Sequence, residues 1–515
     1  MKELDLAWYM IRLHTRLRRF DHKRNSQDKI NIFHHARRVT SKLSSVLIRF
    51  SVAEAKTPWF TDDEAKAIHQ EREKLLEKLS GRTNLSANGT KLHLGKLSRG
   101  CTICMDGYWG CNYINGRCHR NCFYCMRDHS MQTEPNSKSD GFDFGTSEEH
   151  IEFLKTFQIR GVGFSGGEPL LVLDRLLEHI VAIRKELGST IYLWMYTNGD
   201  LVNRETLSAL RDAGLNEIRF DLSARGYDLS PLVLAKEYIP TVAVEIPAIP
   251  EDFLLVKKLL VDMQAVGVNH LNLHQLMAGQ RNWKALCRRH YHFSFQSTPA
   301  VHESELCALR LILYACEQKL NLPINYCSVA YKFRFQGRAF RMRRALVLRE
   351  GFQEITEAGY IRSLCISDSA DKIEALARRL KGDHVEPILW KEECDHGEIS
   401  LHSNLMSYVD WSSATLAIKY YQAGVALKNK SARFEPGNLK RDRRTVKTVT
   451  GLGCSAFDCW HRLYVQKEAA TDVFSPTHLK HLGVSEEKNR FKNIIGQLLS
   501  VATYEQLEAG LPDVT

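Results

Sequence analysis

No stretch of this chain reaches the ~18 consecutive apolar residues that a membrane-spanning helix needs, so no membrane passage is expected. Its start, MKELDLAWYM, lacks a basic cluster followed by an apolar run and carries Glu3 and Asp5 in the first turn. That excludes an ordinary secretory signal and argues against an acid-poor mitochondrial presequence, so a cytoplasmic protein is expected. Cysteine is too scarce for a secreted disulfide scaffold, with 14 in 515 residues. Internal repeats and low-complexity tracts are missing as well. With 44% apolar and 25% charged residues, the composition excludes disordered and fibrous classes.

What is present is uneven. Six of the cysteines fall between Cys101 and Cys125, and such bunching favours metal over disulfides. The formal charge is +11, and residues 1–50 hold 12 Lys/Arg against 4 Asp/Glu. Residues 1–95 read as a basic helical region whose simplest role is a solvated surface, although nucleic acid or an acidic partner would also suit it.

The middle of the chain alternates strand-like and helix-like segments. Strands are expected at 108–115, 161–165, 191–197, 217–221, 241–246 and 270–274. Helices are expected at 147–157, opened by a capping box at Thr146 and Glu149, and at 171–187, 203–213 and 251–266. Crossovers of this length make parallel βαβ units. The fold class is therefore α/β, a partial or complete TIM-type barrel over 96–345, with chemistry at the C-terminal strand ends. A helix over 301–319 and a strand over 322–329 follow. Residues 346–515 read as an α+β accessory domain, with a Cys-bearing acidic loop at 391–398 and a basic stretch at 440–447.

After the first strand comes Cys118-His-Arg-Asn-Cys122-Phe-Tyr-Cys125. Three thiolates on one short loop can grip three irons of a cubane and leave the fourth open, whereas structural zinc wants four closed ligands. The segment resembles the signature of the radical S-adenosylmethionine (radical SAM) superfamily, with Tyr124 at its usual aromatic position. Gly166-Gly167-Glu168-Pro169, ending the second strand, resembles the GGEP motif of that superfamily. The resemblance implies that backbone and carboxylate there hold the amino group of S-adenosylmethionine. It also places Asn198 after the third strand, Ser223 as a ribose contact after the fourth, and Gln275 beside the adenine. At the fifth strand end, Glu245-Ile-Pro247 departs from the glycine-containing pattern and leaves that adenine contact open.

The resemblance implies a 4Fe–4S cluster, S-adenosylmethionine, an electron donor such as flavodoxin or ferredoxin, and hydrogen abstraction from a substrate that is not identified. Small-molecule, peptide-modifying and glycyl-radical-activating roles stay open. So does a reading of another class, a non-catalytic Fe–S or zinc protein that binds nucleic acid.

A second set, Cys101-x2-Cys104 and Cys111, precedes the first loop. One turn presents Cys101 and Cys104 to the same point, which suits a second metal site, an auxiliary Fe–S cluster ahead of zinc. The arrangement resembles an uncharacterised group related to pyruvate formate-lyase activating enzyme, and that resemblance adds Cys327 as the remote ligand. Cys111 is either a fourth ligand or a buried thiol set back along the first strand. Cys454 and Cys459 are weaker candidates. Cys287, Cys307, Cys316, Cys365 and Cys394 read as packing or surface residues. The basic run Lys332, Arg334, Arg338, Arg341, Arg343 and Arg344 suits an anionic substrate group or a solvated helix face. His270 and His274 share one strand face and read as core or solvated histidines.

Overall fold

The computed structural model describes residues 62–87, 89–126, 136–139, 142–279, 281–295, 299–392, 397–410, 413–421, 432–433 and 460–463. The basic region before 62, the stretch 440–447, and Cys394, Cys454 and Cys459 lie outside them.

In chain order the strands are β1 (Asn84–Ser86), β2 (Lys91–Leu94), β3 (Trp109–Asn115), β4 (Ser137–Ser139), β5 (Phe142–Phe144), β6 (Gly161–Gly166), β7 (Tyr192–Thr197), β8 (Glu217–Phe220), β9 (Thr241–Pro247), β10 (His270–His274), the hairpin β11 (Phe293–Phe295) and β12 (Pro299–Val301), and β13 (Ile324–Cys327). The helices are α1 (Asp62–Leu79), α2 (Arg99–Met105), α3 (Ser147–Thr156), α4 (Leu173–Leu187), α5 (Arg204–Ala213), α6 (Ser230–Ala235), α7 (Phe253–Ala265), α8 (Trp283–Cys287), α9 (His302–Glu317), α10 (Gly337–Leu348) and α11 (Ala370–Gly382).

Seven strands, β3-β6-β7-β8-β9-β10-β13, lie side by side in parallel. This is a partial TIM-type barrel. Its ends are extended by antiparallel neighbours, β2 and β1 beside β13, and β4 and β5 beside β3. In the middle of the chain expected and observed elements agree closely, although the helix expected at 171–187 opens as a 3₁₀ turn at Pro169–Val172. Ahead of it, residues 84–86 and 91–94, expected within a helical region, are instead β1 and β2, because β13 offers an edge for β2 to pair with. At α3, Thr146 Oγ1 accepts from Glu149 N at 3.3 Å, but the Glu149 carboxylate turns to Gly145 N rather than to the cap's own N–H.

The alternation of side chains explains the layering. On the convex face Phe164, Leu193, Met195, Ile218, Phe220, Val244, Leu271, Leu273 and Ile324 join the crossover helices in one apolar core. Their sequence neighbours point to the concave face, and many of those are polar. A separate antiparallel sheet is built from β14 (Glu354–Ile355), β15 (Ile361–Ser367), β16 (Trp390–Glu392), β17 (Glu398–Leu401) and β18 (Thr415–Tyr421), with α11 packed on β17. Two short strands complete the described chain, β19 (Ala432–Arg433) beside β5 and β20 (Trp460–Leu463) beside β18.

Behind β3, His150 and His179 are buried edge-to-face with ring centroids 5.3 Å apart. Asn112 Nδ2 lies 3.1 Å from His150 Nδ1, and Ser137 Oγ lies 3.3 Å from His179 Nε2. Burial, with Arg175 second, pulls His179 down to about 4, and burial pulls His150 well below its usual range. The unfolded chain, titrating near 6.5, therefore takes up these protons first. Stability is full above that pH and is lost as pH falls from about 6.5 to about 4. For His179 the loss is on the order of 3 kcal/mol. His179→Gln is expected to flatten this part of the stability curve, as followed by urea unfolding between pH 7 and pH 4.

Candidate active site

β3 and β6 run in register until a bulge between Tyr113 and Asn115 turns the chain out at the C-terminal edge. There the backbone of residues 115–117 lies directly against the Gly-Gly turn. Gly167 N donates to Asn115 O at 2.9 Å, and Glu168 N donates to Arg117 O at 2.7 Å. A Cβ on Gly167 would fall inside the Arg117 carbonyl, and one on Gly166, whose φ is +148°, would strike Asn115 O. Only glycine allows this approach. Asn115 ties the same corner with its side chain, donating to Glu168 O at 3.1 Å and accepting from Arg117 N at 2.5 Å.

The next residue is Cys118. Cys118, Cys122 and Cys125 are all half-buried, and Arg120 N donates to Cys118 Sγ at 3.4 Å. The loop is held on its other sides too. Arg120 makes a two-pronged ion pair with Asp200 at 2.5 and 2.7 Å, and His119 Nε2 meets the same carboxylate at 2.7 Å. The Arg120 bonds, then His119, hold Asp200 down at about 2. Tyr124 OH donates to Asp221 Oδ2 at 2.9 Å and accepts from Ser223 Oγ at 2.7 Å. Arg281 and Asn282 bind the carbonyls of Cys125 and Tyr124.

Glu168 is 1% exposed, and its carboxylate already accepts three bonds: Leu170 N at 3.1 Å, Thr197 Oγ1 at 2.9 Å and Asn198 N at 2.8 Å. It is a strut between the ends of β6 and β7. Pro169 opens the following 3₁₀ turn. Asn198 Oδ1 accepts from Asp200 N at 3.0 Å. Gln275 is also engaged at both ends of its amide, with Val301 O at 3.1 Å and Val329 N at 2.9 Å.

The second cysteine set is assembled across the concave face. Ser98 caps α2, accepting from Cys101 N at 3.1 Å, and Arg219 Nη2 donates to the same hydroxyl at 3.2 Å. Cys101 and Cys104 lie on one face of α2 at i, i+3. Asn325 Nδ2 reaches Cys327 Sγ at 3.5 Å and Cys101 Sγ at 3.7 Å, while Lys91 Nζ reaches Cys327 Sγ at 3.3 Å. Gln336 Nε2 donates to Cys104 Sγ at 2.8 Å, and the Cys101 thiol also lies 3.4 Å from Asn272 Oδ1. Burial first, and for Cys104 its neighbours Cys101 and Cys327 next, push the Cys101 and Cys104 thiols up. Cys111 sits on β3 opposite Gly163, with its thiol 3.0 Å from Ser165 Oγ.

Between the two sets runs a buried ionic chain that sequence reasoning missed. Arg219 bridges Glu217 at 2.7 Å and Glu245 at 2.9 Å; His274 Nε2 meets Glu245 Oε1 at 2.7 Å; Lys332 Nζ meets His274 Nδ1 at 2.7 Å. Burial, then Lys332, hold the imidazole below its usual range. It is thus neutral, accepting from Lys332 through Nδ1 and donating Nε2–H to Glu245. His274 is neither a bland core histidine nor a solvated one. Its signal in the sequence was the shared face of His270, Asn272 and His274, two residues apart.

Among the described residues no three His, Cys, Asp or Glu side chains converge closely enough for a single metal ion. A cubane is a different demand, because it sets each thiolate on a different iron. Both cysteine trios offer soft donors suited to it.

The radical SAM superfamily model matches residues 112–274. A relative from Methanocaldococcus jannaschii, provisionally named a glycyl-radical enzyme activating enzyme, is 31% identical over 302 residues, covering 56% of this chain and 79% of that protein. The chain belongs to the radical SAM superfamily. It is an enzyme of that class, with a 4Fe–4S cluster and S-adenosylmethionine as its cofactors. A GTP 3′,8-cyclase of Rhodopirellula baltica is 32% identical over 114 residues, 21% of this chain and 29% of that one. Among solved structures, Streptococcus suis SuiB bound to S-adenosylmethionine aligns at 12% identity and a TM-score of 0.31, over 42% of this chain and 49% of that one. Kitasatospora setae TsrM aligns at 12% identity and 0.28, over 50% and 56%. This radical SAM chain thus spans about half the length of each of these solved structures. No described helix is long and apolar enough to cross a membrane.

Two substitutions test the corner. Gly167→Ala is expected to leave the barrel folded by circular dichroism but to strip iron from the adjacent loop, as measured after anaerobic reconstitution. Glu168→Gln, which turns an acceptor into a donor facing Thr197 or Asn198, is expected to cost about 1–3 kcal/mol in chemical unfolding.

Proposed function

We propose that Cys118, Cys122 and Cys125 hold the radical-generating cluster, that Cys101, Cys104 and Cys327 hold an auxiliary cluster, and that the enzyme abstracts hydrogen from a polar substrate on the concave face. The observation that carries this is the docking of the cysteine loop's first residues onto the Gly166-Gly167 turn, which joins the two motifs in one corner. When bound, the first cluster supplies the electron that breaks the C5′–S bond of S-adenosylmethionine, so that a deoxyadenosyl radical can take hydrogen from the substrate.

The chain's own residues hold and orient. Because the Glu168 carboxylate already accepts from Leu170, Thr197 and Asn198, we assign the amino-group contact first to the backbone of the Gly-Gly turn, with Glu168 as its support and its remaining lone pair open to the same group. Asp221 and Ser223, already linked to Tyr124, present oxygens at the strand end where ribose hydroxyls would lie. Asn198 braces Asp200, and Gln275 fixes the strand end beside the adenine site. Glu245, His274 and Lys332 form a polar wall able to hold a proton at Glu245 or His274 Nε2, which favours a polar substrate. Cys111 is left outside the ligand set, because its strand register sends it to Ser165. An external electron donor such as flavodoxin or ferredoxin would supply the cluster.

A second reading, activation of a glycyl-radical enzyme, is favoured by the name of the Methanocaldococcus relative. Deuterium recovered in deoxyadenosine from labelled small molecules or peptides supports the first reading. A stable glycyl radical raised in a partner protein supports the second.

Wild-type protein is expected to bind about eight irons per chain, as two 4Fe–4S clusters. The triple variant of Cys118, Cys122 and Cys125 to alanine should keep about half and form no deoxyadenosine. Cys101→Ala, Cys104→Ala and Cys327→Ala should each lose auxiliary iron and stability, because metal binding is coupled to folding. Cys111→Ala should keep all the iron; if it loses as much as Cys101→Ala, all four cysteines are ligands. Iron analysis and chromatography of deoxyadenosine decide these outcomes.

A further inference from the structure

Lys91 is 2% exposed, in a strand position that an apolar residue would ordinarily fill. It stands directly across from Cys327 in the antiparallel pairing of β2 with β13. Its ammonium has three neighbours at contact distance: Asn325 Oδ1 at 2.8 Å, Cys327 Sγ at 3.3 Å and the face of Tyr331, 4.5 Å from the ring centroid. Among the described residues no Asp or Glu carboxylate forms a hydrogen bond or ion pair with it. An isolated buried cation is costly and is found paired. The amide and the ring are dipoles, so the one neighbour able to carry a full negative charge is sulfur.

The surrounding donors agree. Asn325 gives its oxygen to Lys91, and its Nδ2, bonded to Asn272 Oδ1 at 2.9 Å, also lies 3.5 Å from Cys327 Sγ and 3.7 Å from Cys101 Sγ; Gln336 gives its Nε2 to Cys104. Each sulfur of the trio thus has an N–H donor within reach, the kind of contact that tunes a cluster's potential through its sulfurs.

We propose that Lys91 is the buried counter-charge of the Cys101–Cys104–Cys327 site and raises the reduction potential of the cluster held there. This rests on reading those cysteines as the auxiliary ligand set. Reduction adds one electron to the cluster and neither makes nor breaks a bond. A fixed positive charge beside one ligand stabilises the more negative, reduced state.

The test compares full-length wild type, Lys91→Met and Lys91→Arg, each reconstituted anaerobically. Iron is counted, and the auxiliary cluster is titrated with dithionite by electron paramagnetic resonance. To isolate its signal, the titration is repeated with the first-loop cysteines replaced. Lys91→Met is expected to lower the reduction equilibrium constant about tenfold, ~59 mV for one electron, while Lys91→Arg stays near wild type. Loss of auxiliary iron from Lys91→Met with retention in Lys91→Arg also supports the proposal, since charge is then what the site requires. An unmoved potential in Lys91→Met, or equal iron loss from both variants, overturns it with the ligand set intact. Wild type carrying only about four irons overturns the ligand reading itself, and the proposal with it.

Discussion

The site depends on one backbone contact, the approach of residues 115–117 to Gly166 and Gly167. Ordering a residue's backbone costs ~1–2 kcal/mol, so fixing the eight-residue cysteine loop costs on the order of 10 kcal/mol, comparable to the stability of a whole domain. The loop can be ordered only if its anchors are ordered first. The glycine corner supplies that start, with hydrogen bonds between chain segments that no side chain separates. Asp200, Asp221 and the Arg281–Asn282 pair then fix the remaining length from β7, β8 and the segment beyond β10. The strand ends thus converge on the loop because each was already placed by the sheet.

The same strands do two opposite jobs. Their convex residues bury apolar area against the crossover helices and supply most of the cohesion. Their concave residues include Glu217, Arg219 and Glu245, which such a core could not tolerate singly. Each carboxylate and guanidinium there finds a partner within 3.0 Å. Pairing does not make this layer a source of stability, because desolvation offsets most of the attraction. It makes the layer permissible, and so leaves charged groups on the concave face.

The sequence made the barrel legible because its signals were local: β-branched runs, a cap at Thr146, and crossovers of regular length. The cysteine loop and GGEP were legible for the same reason, each being a short contiguous string. What could not be read was which side-chain atoms face one another. The motif around Glu168 could be read, but not that its carboxylate already accepts from Leu170, Thr197 and Asn198, two of which lie about thirty residues away. His274 looked unremarkable because Glu245 and Lys332 come from two other elements. Lys91 and Asn325 sit 234 residues apart and meet only through the pairing of β2 with β13.

That pairing shows what the residues ahead of the barrel contribute. Without β2, β13 would be an open sheet edge with unpaired backbone groups. A plain cover would need only a strand with apolar residues facing in, and Leu92 meets that need on the convex side. On the concave side the position holds Lys91 instead, aimed at Cys327. Nearby, α2 lies across the same concave face, its Gly100 so close to Arg219 and Trp194 that an added Cβ would require the Arg219 guanidinium to shift. Cys101 is thereby brought within reach of the same Asn325 amide that reaches Cys327. The short segment between residues 84 and 105 therefore closes an edge, lies across the concave face, and brings Lys91 and Cys101 within reach of Asn325 and, for Lys91, of Cys327.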